Sequence, residues 1–216
     1  SNLNFTMIPD SYIFPPRKAE IANSITHALG ILFSMSVILE LFFTPAVSSG
    51  NRFSLLVFAF CMLEMYSIST IYHWVKKVPL KRVLRLLDHI SIYFLIAGTY
   101  TPFVLVCLQG TLKWMLLSII WGIVILGIAY KLVWWEKHPK LSLYIYLSMG
   151  WLIVFFIKPV YSSLPTDGFI WLIAGGLSYI AGTIFYSNRK PLYNHAIWHL
   201  FVLGGSICHF MAISTL

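Results

Sequence analysis

Seven runs of mostly apolar residues follow one another along the chain, separated by short polar or basic connections. They cover Ile25–Phe43, Phe53–Tyr72, Ile90–Leu108, Leu112–Val133, Leu141–Ile157, Phe169–Phe185 and Ala196–Ile213. A helix needs about 20 such residues to cross the hydrocarbon layer of a bilayer. The pattern predicts an all-α fold, an integral membrane bundle of seven transmembrane helices without an internal repeat. Residues 1–19 read as a tail along the membrane surface, and residues 20–216 as the seven-helix domain.

Composition agrees with the pattern. Of 216 residues, 59% are hydrophobic and only 10% charged, against roughly a quarter charged in a soluble domain. The net charge of +8 does not point to nucleic acid, because the basic residues flank the apolar runs. Membrane lipids are the expected partners. Cys61, Cys107 and Cys208 all fall inside apolar runs, with no C-x-x-C among them, so they read as packed free thiols. The first 19 residues are polar and interrupted by Pro9, Pro15 and Pro16, unlike a signal peptide.

Charge sets the expected orientation. Arg17 and Lys18 precede the first run. Lys76, Lys77, Lys81, Arg82 and Arg85 lie between the second and third. Lys131, Lys137 and Lys140 join the fourth and fifth, and Arg189 and Lys190 precede the seventh. Twelve of the 15 Lys and Arg residues thus share one side, and only Arg52, Lys113 and Lys158 lie on the other. The positive-inside bias predicts a cytoplasmic N-terminus and an outside C-terminus. The triplet Asn4-Phe5-Thr6 fits a glycosylation sequon, but this orientation keeps it unmodified. The connection Trp74–Leu87 is helix-compatible and basic, and is expected to lie on the anionic inner leaflet.

The polar residues of the runs then fall into groups. His73 ends the second run, Asp88 opens the third, and His195 and His199 begin the seventh, all at the side predicted to be cytoplasmic. His195 and His199 are four residues apart, about one helical turn, so they share a helix face. Ser69 lies one turn inside His73. Two readings stand. The three imidazoles can hold a metal, as catalytic zinc sites use three protein ligands and leave one position for water. Asp88 would then accept the proton of that water, and Ser69 would position it or the developing oxyanion. Alternatively, all are polar residues capping helices at headgroup level.

Glu20, Asn23 and His27 fall on one face of the first helix. They suit a supporting or gating role near the metal, or a structural cap. Glu64 and His209 sit deeper, roughly 13 Å from His73 and 21 Å from His195 by helical rise. They suit an interhelical hydrogen bond or a polar path. Pro102, within A-G-T-Y-T-P-F, is expected to kink the third helix, with the neighbouring threonines bonding freed carbonyls.

E-I-A-N-S-I-T-H, S-T-I-Y-H, L-D-H-I-S-I-Y-F-L-I-A-G-T-Y-T-P-F and N-H-A-I-W-H-L-F-V-L-G-G-S-I-C-H-F occur in this order. They closely resemble the bacterial hemolysin III family, which is similar to the progesterone-and-adiponectin receptors and, more distantly, to alkaline ceramidases. The resemblance implies a seven-helix bundle in a bacterial plasma membrane and zinc held by His73, His195 and His199. It places Ser69 and Asp88 near the metal water, and relates the chain to lipid amide hydrolases. The expected function is a zinc-dependent intramembrane hydrolase of a lipid amide or ester. The alternatives are a non-enzymatic sensor or homeostasis protein with structural zinc, and a hemolysin-type cytolysin or channel.

Overall fold

The computed structural model describes residues 15–43, 49–134, 139–188 and 191–216. The tail up to residue 14, with its sequon, and His138, Lys137, Arg189 and Lys190 lie outside the described residues. Seven helices are long and apolar enough to cross a membrane, and no strand occurs among the described residues. They are α1 (Arg17–Phe43), α2 (Ser49–Trp74), α3 (Val78–Cys107), α4 (Gly110–Val133), α5, α6 (Thr166–Ser187) and α7 (Asn194–Ile213). Helix α5 is interrupted: Pro139–Trp151, a 3-10 segment Leu152–Phe156, then Ile157–Ser163.

Helix α1 is inverted relative to a helix in water. Its buried face carries Glu20, Asn23, Ser24, His27 and Ser34, while Ile25, Leu29, Leu32 and Leu39 are exposed. In lipid this is the stable arrangement, because apolar side chains lose nothing at the surface while polar groups must find partners inside. Helix α3 is central and buried along most of its length.

Two helix starts and one interruption depart most from the sequence pattern. Helix α1 starts at Arg17 rather than Ile25, which brings its polar face into the bundle. Helix α3 starts at Val78, so most of the basic connection is not a separate leaflet-bound segment but the first three turns of this helix. Pro79 stands at its start, where a missing N–H costs nothing, and Lys81 turns inward. Asp88 therefore lies about 15 Å along the helix rather than at its start. The third difference is the break in α5. Pro159 offers no N–H to the Phe155 carbonyl and its ring crowds that turn. The Tyr100 hydroxyl caps the break, accepting from Ile153 N at 2.8 Å and donating to the Met149 carbonyl at 2.7 Å.

Pro102 sits within α3 as expected. Thr99 and Thr101 donate to the Leu95 and Ala97 carbonyls, both at 2.7 Å, rather than to Gly98, whose carbonyl the proline frees. The three cysteines are free, and Cys208 is only half-buried. Gly110, at φ 59°, makes the tight turn between α3 and α4 in a conformation that favours glycine.

Helices α1 and α2 approach closely at Gly30, where a Cβ would run into the buried Tyr66 ring. Gly30→Ala is expected to destabilise the bundle by about 1–3 kcal/mol. Gly122→Ala meets nothing within 4 Å and is expected to be neutral or stabilising by up to about 1 kcal/mol. Unfolding in a mixed-detergent denaturant series checks the contrast.

Candidate metal centre

His73, on the last turn of α2, meets His195 and His199, on the first turns of α7. One ligand atom from each lies within 4.8 Å of the other two. The ring planes stand at 60° to 64° to one another, with centroids 4.5 to 5.2 Å apart. A tetrahedral zinc with bonds of about 2.1 Å holds its nitrogens about 3.4 Å apart, so small side-chain rotations close the set around an ion.

The supporting hydrogen bonds assign the proton on two of these rings. His73 Nδ1 lies 2.7 Å from Glu20 Oε2. The Lys81 ammonium, 3.2 Å from the other oxygen, favours the ionised carboxylate, which only accepts; Nδ1 then carries the hydrogen and Nε2 keeps its lone pair. His199 Nδ1 lies 3.1 Å from the Asn23 carbonyl, which also only accepts, and 3.1 Å from Thr26 Oγ1. Again Nε2 is left as the donor atom. Both Nε2 atoms are buried without a hydrogen-bond partner, an arrangement that is costly unless something else binds them. The residues present therefore fit a metal ion that prefers neutral imidazole.

Helix α1 supplies this support because its polar face is turned inward. Glu20 bonds His73, and the Asn23 backbone carbonyl accepts from His199. His27 stacks on His199 with centroids 3.4 Å apart and planes at 20°. Ser24 donates to the Thr70 carbonyl at 3.1 Å, and Arg17 lies over the Trp74 ring, fastening α1 to the end of α2 that bears His73. The sequence places Glu20, Asn23 and His27 on one face, and the structure brings all three against the histidine cluster.

Asp88 and Ser69 stand together, with the serine hydroxyl beside the carboxylate but outside hydrogen-bond geometry. Asp88 is thus level with Ser69, one turn inside His73. It lines an apolar cavity of about 370 Å3 between α3, α5, α6 and α7. His27 and Trp198 line the same cavity, whereas the three clustered histidines do not. From Asp88 to Phe103 its α3 wall runs about 22 Å.

Glu64 and His209 are not brought together. His209 lines the apolar cavity and packs near Tyr179 and Phe103. Glu64 lines a different, open groove with Phe60, Phe94 and Trp121. The sequence reading also missed Lys81, taken only as an orientation charge. Its Nζ lies 3.2 Å from Glu20 Oε1. A signal was available: Lys81 precedes Asp88 by seven residues, two helical turns, and so shares its face.

Purified protein is expected to retain a divalent metal ion that His73→Ala, His195→Ala and His199→Ala each lose. Glu20→Gln is expected to weaken binding by about 10- to 100-fold, the usual effect of removing a ligand's hydrogen-bond partner. Elemental analysis and chelator competition measure both.

The description "Haemolysin-III related" belongs to the family model that matches residues 17–210. The hemolysin-3 homolog of Bacillus subtilis (strain 168) is 44% identical over 91% of this chain and 93% of its own length. Hemolysin-3 of Bacillus cereus is 42% identical over 91% and 90%. The human monocyte to macrophage differentiation factor is 31% identical over 73% and 67%. With its seven spans, its histidine cluster and these relatives, the chain belongs to the haemolysin-III-related family and is a multi-pass protein of the bacterial plasma membrane.

Proposed function

We propose that this protein is a zinc-dependent intramembrane hydrolase of a lipid amide or ester. The observation that carries the reading is the histidine cluster, with two free Nε2 atoms, linked through His27, which stacks on His199, to an apolar cavity that Asp88 also lines. His73, His195 and His199 would hold the ion. Zinc bound there would supply Lewis acidity and bring the pKa of a water to about 7.

The chain's own groups then have separate tasks. The cavity takes the acyl chain and excludes water, and its carbonyl end points toward Asp88. Asp88 accepts a proton from the attacking water and returns it to the departing amine or alcohol as the C–N or C–O bond breaks. Ser69 steadies the carboxylate or donates to the oxyanion. On the positive-inside bias, this chemistry would lie near the cytoplasmic leaflet.

One observation favours a second reading, a non-enzymatic protein with structural zinc. The three histidines stand outside the cavity lining, and His27 stacks on His199. A cytolysin or channel has less support, since Glu64 and His209 line separate cavities.

Mass spectrometry of co-purified lipids separates the first two readings. Asp88→Ala is expected to keep its metal, lose hydrolysis by at least about 100-fold, and carry an intact amide- or ester-linked lipid absent from the wild type. Identical lipids in both proteins would support structural zinc instead.

A further inference from the structure

The chain places five basic residues between the second and third apolar runs, and they do not share one fate. Lys76 and Lys77 are exposed, as orientation charges should be. Lys81 is 1% exposed, among the largest side chains to be fully buried. Its ammonium donates to the Tyr72 carbonyl at 2.9 Å and to the Val75 carbonyl at 3.3 Å. It lies 4.7 Å from the centre of the Tyr72 ring and 3.2 Å from Glu20 Oε1. The other oxygen of that carboxylate, Oε2, accepts from His73 Nδ1.

Two lines of contact therefore run from one side chain to one imidazole. Through Glu20, Lys81 holds the carboxylate at the His73 ring, one oxygen 3.2 Å from the ammonium and the other placed to accept from Nδ1. That acceptor keeps the hydrogen on Nδ1 and the lone pair on Nε2. Through the Tyr72 carbonyl, it ties down the end of α2, where the last carbonyls of a helix lack intrahelical partners. His73 is the next residue. A buried lysine is costly to desolvate, and a purely orienting charge gains nothing from burial, since the positive-inside effect works equally from the surface.

We propose that Lys81 is a positioning residue of the metal centre, acting through Glu20 to fix the tautomer and direction of His73. This rests on the histidine cluster being a metal site, and the test separates the two ideas. Zinc affinity of the full chain in detergent is measured by competition with a chromophoric chelator, with thermal melting as a check of folding.

Wild-type protein should bind zinc. Lys81→Met should weaken binding by about 10- to 100-fold. Lys77→Met, which removes an exposed charge from the same connection, should change it by less than about twofold, since an exposed charge away from the site is largely screened. The decisive variant is the double mutant. Because Lys81 acts through Glu20, Lys81→Met in a Glu20→Gln background should add far less than it does alone, the non-additivity expected of groups in one network.

Full additivity would overturn the proposal, as would unchanged affinity in Lys81→Met. Where that variant does not fold, Lys81→Gln keeps a donor for the Tyr72 carbonyl without the charge, and the same loss is expected. Unchanged affinity there overturns the proposal equally. A wild-type protein that binds no zinc defeats the metal reading itself.

Discussion

In the hydrocarbon of a bilayer no water is present to satisfy a stray polar group, so every polar side chain within a span needs a partner inside the bundle. This constraint organises the whole molecule. It turns α1 inside out, with Glu20, Asn23 and His27 buried and Ile25, Leu29, Leu32 and Leu39 outside. It gathers those groups where α2 and α7 bring His73, His195 and His199. The partnerships then form a chain, from Lys81 to Glu20 to His73, and a second line from the Asn23 carbonyl to His199. The two lines end at two buried nitrogens, His73 Nε2 and His199 Nε2, whose missing partner a metal ion could supply.

The same constraint explains the middle of the bundle. Where Pro159 opens the α5 ladder, the Tyr100 hydroxyl serves the freed groups, accepting one N–H and donating to a carbonyl. The Tyr66 hydroxyl donates to Ser206 at 2.7 Å, and Tyr179 lies 3.1 Å from the same serine oxygen. Tyrosines do this work because each offers a large apolar body and one polar tip. With these groups satisfied, the walls of the cavity are left almost wholly apolar, apart from Asp88 and His27 at the end nearer the histidine cluster and a few groups such as His209 beyond.

Much of this was legible in the chain. Seven apolar runs gave seven helices, and helical spacing put His195 with His199 and Glu20 with Asn23 and His27. Spacing within one helix cannot say which helices meet. The pairing of α1 with the α2–α7 cluster rests on side-chain partnerships such as Glu20–His73, which link residues 53 positions apart. Apolar counting also mislocated the start of α3, because Val78–Leu87 is basic and scores as a connection although its residues form good helix. Lys81 was misread for the same reason. A lysine near a membrane boundary usually orients the chain, and the burial of this one against Glu20 shows that it faces inward. Glu64 and His209 both read as deep in the bundle but line different cavities, a matter of helix rotation that depth alone does not fix.

The proposed chemistry requires three imidazoles to bind one ion, with a further position left for water. X-ray absorption at the zinc edge of the purified, zinc-loaded protein tests this directly. It should give three nitrogen scatterers with the multiple-scattering signature of imidazole at about 2.0–2.1 Å and one oxygen at a similar distance. A first shell containing sulfur, or fewer than three imidazoles, would contradict it.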